Sequence, residues 1–165
     1  MKPRFLRLVS WLAFIATLCF APAAFAVEDR AIGISSEDQA MKKAIIDARA
    51  KLPHFWQIMA SPKHGETEFA LKVRVADGDA IEHFWCTDIK IEKEIVSGVI
   101  GNDAEIVTSV RLGQRITIKE ADISDWLYIR DEKMIGNYTV RPLMKSMNQE
   151  ELAFLKDHLG ELPKD

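Results

Sequence analysis

Two side chains in this sequence are suited to acid-base work, His83 in "IEHFWC" and Asp125 in "ISDWLYIR". An imidazole titrates near neutrality and a carboxylate can orient it, so the pair would serve a small hydrolase if the two came within hydrogen-bond reach in a concave pocket. Around them stand Trp85, Trp126, Tyr128 and Arg141. Indole and phenol combine an apolar body with a hydrogen-bonding tip, and a guanidinium fork grips a carboxylate, that of Asp125 or of a ligand. His83, Trp85, Asp125, Trp126, Tyr128 and Arg141 are therefore the candidate ligand- or partner-binding set. "EADISDW" also reads as a turn in which one aspartate caps backbone N–H groups and the other is solvated.

Other chemistries lack their residues. His83 and Cys86 are zinc-ligand types, but strand residues three apart point to opposite faces. His54, His64 and His158 are scattered, so neither a metal nor a cofactor is expected. Cys86 reads as a small buried hydrophobe. No serine sits in a Gly-x-Ser-x-Gly elbow, and Gly98-Val99-Ile100-Gly101 lacks the lysine and hydroxyl residue of a phosphate loop.

The elements that must position these residues are legible from periodicity. Met41, Ala44, Ile45, Ala48 and Leu52 recur at helical spacing, with Ser36 and Gln39 forming a capping-box pattern ahead of them. Pro53 ends that ladder and opens a second turn, "PHFWQIMA". From Phe69 the period becomes two, with a hairpin turn at Asp77-Gly78. "AIEHFWCTDIKIEKEIVSGVI", "AEIVTSV" and "QRITIKE" are further strands, and "DWLYIR" with "MIGNYTVRPL" forms a hairpin turning at Asp131-Glu132-Lys133. Asn148 with Glu151 starts a last helix that Gly160 stops. The fold class is α+β: an N-terminal amphipathic helix packed on a curved antiparallel β-meander of about five or six strands, with a C-terminal helix. Alternation puts Leu127 and Ile129 on one sheet face and Trp126, Tyr128 and Arg130 on the other, with Ile81, His83 and Trp85 aligned in their own strand. Asn137, Thr139 and Arg141 would line one side of the last strand. With suitable register, Trp85 and Trp126 share an aromatic face, which is either an open binding surface or a second core layer beneath the first helix.

The N-terminus sets the compartment. Lys2, Arg4 and Arg7 precede an apolar run from Leu8 to Phe20 and a small-residue site at Ala24-Phe25-Ala26, the three-part order of a secretory signal peptide. That run is short of the roughly 20 residues of a membrane-spanning helix. Cys19 lies inside it without the small preceding residue of a lipoprotein signal. Residues 1–26 are expected to be cleaved and residues 27–165 to form a single globular domain, exported to the periplasm or secreted, with no membrane anchor. The signal segment carries three of the 22 basic residues and none of the 25 acidic ones, leaving 19 against 25. Such a balance disfavours nucleic acid. The mature chain keeps only Cys86, so its core must hold without an intrachain disulfide.

"FALKVRVADGDAIEHFWCTDIKI", "LGQRITIKEADISDWLYI" and "KMIGNYTVRPL", in this order and spacing, closely resemble domain-of-unknown-function family 2314, the YegJ-like bacterial proteins. The resemblance runs over about residues 38–143, with 148–160 as an extra C-terminal helix. It implies a small α+β domain, sometimes behind a signal peptide, and carries no activity, substrate or cofactor. Cys86, following "HFW", departs from the aliphatic residue or threonine that the resemblance suggests. The sequence thus reads as an exported binding or interaction module for a protein or small molecule. A His83/Asp125 hydrolase is the alternative, and a toxin-neutralising partner a third reading. Mass spectrometry of protein recovered from the envelope should give an N-terminus at Val27; an N-terminus at Met1 would remove the export reading.

Overall fold

The structure is a computed structural model and describes residues 39–163. The signal segment and the Ser36 cap lie outside the described residues. Helix α1 (Gln39–Ala50) forms because Ala44 and Ala48 recur on one stripe, which is buried, while Lys43 and Asp47 pair on the solvent side. Helix α2 (Leu52–Ala60) carries Pro53 in its first turn, where a missing N–H costs nothing, and buries Leu52 and Phe55. Among the described residues no helix is long and apolar enough to cross a membrane.

Six antiparallel strands follow: β1 (Thr67–Asp77), β2 (Ala80–Glu92), β3 (Ile95–Ile100), β4 (Arg115–Ile118), β5 (Ile123–Arg130) and β6 (Lys133–Gly136), in sheet order β4-β3-β2-β1-β5-β6. The first four are a meander, and the β5–β6 hairpin then returns to the free side of β1. β1 is therefore central, paired with both β2 and β5. Helix α3 (Val140–Leu143) and helix α4 (Gln149–His158) close the fold. Asn148 and Glu151 cap α4 reciprocally. Beyond α4, Leu159 bridges to Met134 in β6, and the N–H of Gly160 donates to the Met134 carbonyl at 2.9 Å.

Two segments expected as strand adopt other shapes, for one physical reason. "AEIVTSV" lies within an irregular strap over residues 101–114 because sheet carboxylates capture its backbone N–H groups before a ladder can. Glu82 accepts from Glu105, Ile106 and Val107, while Asp77 accepts from Thr108 and Ser109. The last strand likewise ends at Gly136 rather than running on through Thr139 and Arg141. Gly136 and Asn137 have φ of +94° and +49°, and the chain turns into α3. Gly136 is required here, since a Cβ would collide with the carbonyl and indole of Trp126.

Both sheet faces carry core. One packs Leu71, Val73, Phe84, Cys86, Trp126 and Tyr128 beneath α1, α2 and strap residue Val107. The opposite face packs Ala70, Trp85, Leu127 and Met134 against Val140 of α3 and Leu155 of α4. The start of β1 is tied to the end of β5 by Glu66, whose buried side chain accepts from Lys63 and His64 N–H groups and from Arg130. The His64 N–H, helped by Arg130 and opposed by burial, holds this carboxyl at about 2, below its ordinary 4.5. A depressed carboxyl stabilises the fold above its unfolded value and loses that contribution as pH falls through the folded one. Glu66→Gln should therefore lower the melting temperature at pH 6, with the gap to wild type narrowing below pH 4.5 and closing near pH 2.

Candidate functional site

Register divides the five candidate residues that lie in strands between the two faces, and Arg141 falls in α3. Leu71 lies opposite Cys86 on one side and Trp126 on the other, whereas Lys72 lies opposite Trp85 and Asp125. Trp126 and Tyr128 thus face α1 and α2, while His83, Trp85 and Asp125 face the α3–α4 side. The expectation that Trp85 and Trp126 share one face is corrected. Alternation within a strand is local, but the pairing of β2 and β5 through β1, bulged between Thr67 and Ala70 and between Lys72 and Val73, is not.

Trp126 and Tyr128 are fully buried. The Trp126 indole N–H donates to the Ala48 carbonyl of α1 at 2.8 Å, and its ring packs on Phe55, Tyr128 and Tyr138. The Tyr128 hydroxyl sits 3.2 Å from His54 Nε2. Burial raises the tyrosine pKa, and burial, then Arg130 and Lys51, lowers that of His54, so a neutral imidazole meets a protonated phenol. Arg130 stacks over the Tyr128 ring and pairs with Glu66. No local signal announces this His54–Tyr128 contact, which joins residues 74 positions apart.

On the other face, polar groups run across three strands. His83 Nδ1 lies 2.8 Å from Ser124 Oγ, which donates to the Lys72 carbonyl at 3.1 Å. A hydroxyl has one proton, and a carbonyl only accepts, so Ser124 receives the His83 Nδ1–H and the imidazole tautomer is set. Buried Lys72 extends its ammonium toward Thr139 Oγ1 at 3.4 Å and over the Trp85 ring. Thr139 Oγ1 donates in turn to Asp125.

Asp125 is wholly buried, and its two oxygens accept from the N–H groups of Trp126, Tyr138 and Thr139 as well as the Thr139 hydroxyl. Burial pushes its pKa up against those four hydrogen bonds. Arg141 points elsewhere, donating to the Gly160 carbonyl at 3.0 Å, with burial working against its charge. Cys86, on the α1–α2 face away from His83, is fully buried, and burial lifts its thiol to about 12.

What remains accessible is half of the α3–α4 face. Positions on β1–β4 in line with Trp85 leave Arg74 and Ile81 exposed and His83 half-buried, with Ile95, Arg115 and Thr117 exposed further out. Asp88 at this face is bound by Arg115 and Lys90. Arg74, directly opposite His83, makes no ion pair with a described residue.

Fold and site together define a small α+β domain with helices on both faces of one antiparallel sheet and one half-face left open. The chain belongs to the family of domain of unknown function 2314, described as "Uncharacterized protein conserved in bacteria", whose model matches residues 38–161 and so takes in α4. It is 39% identical to "Uncharacterized protein YegJ" of Escherichia coli (strain K12), over 90% of this chain and 96% of that protein. It is also 26% identical, over 72% of its length, to a Neisseria meningitidis serogroup B protein named "Putative ankyrin repeat protein", of which it spans half. No solved structure matches the chain significantly.

Removing the Asp125 carboxylate would strand three buried N–H groups, at about 1–3 kcal/mol each. Asp125→Ala should cost about 3 kcal/mol or more by urea unfolding, and Asp125→Asn, which keeps one acceptor oxygen, distinctly less.

Proposed function

We propose that this protein is an exported binding module, released by cleavage after Ala26, that docks an acidic protein surface on the open half of its sheet. The observation that carries this reading is the distribution of exposed side chains, Arg74 and Ile81 above all. Trp126, Tyr128 and Asp125 are consumed by packing and backbone hydrogen bonds. Arg74, Ile81 and His83 stand together at the margin of the α3–α4 cover.

Charge supports the kind of partner. The mature chain carries an excess of acid, yet this half-face holds Arg74, Lys90 and Arg115 against two acids, Asp88, which pairs with both Lys90 and Arg115, and Glu92 at the hairpin end. Local basic charge on an acidic protein favours an acidic partner.

A photo-crosslinking residue at Ile81 should give one adduct of defined mass in the cell envelope, and the same probe at Glu132, in the far hairpin turn, should give none. Arg74→Glu should cut the adduct at least about tenfold, as should raised salt if the contact is electrostatic. No adduct at Ile81, or one indifferent to Arg74→Glu, would remove this reading.

A further inference from the structure

The strap over residues 101–114 is built unlike anything else in the fold. It is long for a segment without regular structure, and such segments in small domains are commonly lids or binding loops. Its inner side is apolar: Val107 is buried, and Ala104 and Val110 pack on the cluster that contains Val73 and Phe84. Its outer side exposes Ile106 and Leu112.

Its attachment is equally distinctive. From residue 103 to 112 the strap is held by two side-chain carboxylates rather than by a strand ladder, while Asn102 at its start accepts the Trp85 N–H at 3.0 Å. Glu82 of β2 gathers the N–H groups of Glu105, Ile106 and Val107 at 2.9 to 3.1 Å. Asp77, at the end of β1, takes the N–H and hydroxyl of Thr108, each at 2.8 Å, and the N–H of Ser109 at 3.1 Å. Each carboxylate hydrogen bond is made at an exposed or half-buried position, where water competes and a single opening forfeits little. At the strap's ends, by contrast, backbone bonds fasten Gly101 to Trp85 and Gly113 to Ile100. Gly113 sits at φ +78°, a conformation open to glycine, and it lies where a swinging segment would pivot.

We infer that residues 103–112 form a latched cover, pivoting at Asn102, which stays bound to Trp85, and at Gly113, that lifts off the sheet as a unit while the strands stay folded. Release of the Glu82 and Asp77 latches frees five backbone N–H groups together and withdraws Val107, Ala104 and Val110 from the core face. Val73 and Phe84, buried in the closed form, are then laid open. The surface so exposed lies on the α1–α2 side, opposite the half-face assigned to the partner, so the cover stands or falls independently of that assignment.

Hydrogen exchange on the whole mature protein tests this directly. The amides of residues 105–109 should exchange as one block, at least tenfold faster than those of Val73 and Phe84. Glu82→Gln should speed the block by a further factor of at least ten while leaving Val73 and Phe84 unchanged, and should let the apolar dye anilinonaphthalene sulfonate bind the folded variant. Exchange of 105–109 at the rate of Val73 and Phe84 in the wild type would show that the strap opens only with global unfolding and would overturn the inference. So would a uniform acceleration of all amides in Glu82→Gln. The wild-type comparison decides the matter even if that variant fails to fold.

Discussion

A carboxylate sealed inside a protein is tolerated only where donors replace the water it has lost. Asp125 meets that condition with four hydrogen bonds, three of them to groups that β5 and the turn after β6 would otherwise leave unsatisfied. The constraint works in both directions. Tyr138 and Thr139 must turn toward the aspartate, which ends β6 and begins α3, and through α3 it sets where α4 comes down on the sheet. Lys72 approaches the same carboxylate through the Thr139 hydroxyl, so a buried cation balances it without touching it. Half of the fold's second layer follows from one side chain.

The two faces of the sheet answer different demands. Under α1 and α2 the aromatic side chains interlock, with the polar tip of Trp126 satisfied by a helix carbonyl and that of Tyr128 by His54, while the buried Tyr138 hydroxyl meets no partner among the described residues. Across the sheet, α3 and α4 cover only the β6–β5–β1 side, and the polar relay of His83, Ser124, Lys72 and Thr139 marks the boundary between covered and uncovered sheet. A half-covered antiparallel sheet is a stable arrangement, because such strands accept a wet face. The uncovered part is then available for recognition at no cost to the core.

Local rules carried much of the fold. Period-two alternation in "DWLYIR", the proline in the first turn of α2 and the reciprocal cap of Asn148 and Glu151 each involve residues close in sequence or a single backbone property, and each is observed. Sites fared worse for the complementary reason. The sharing of faces by Trp85 and Trp126 depends on register through β1, and the fate of "AEIVTSV" depends on Glu82 and Asp77, more than twenty positions away. Asp125 could be recognised as a cap for backbone N–H groups, but not that the principal groups lie in the turn after the next strand. Side chains that capture distant amides leave no periodic trace.

The tail beyond α4 gives the sheet a direction. By laying Leu159 and Gly160 along β6, so closely that a side chain on Gly160 would meet Ile135, the chain takes up the bridge position at Met134 on that border. The opposite border, β4, meets no further strand among the described residues. Among the described residues β4 is thus the border left along its whole length for an additional strand, while the tail already holds part of the other.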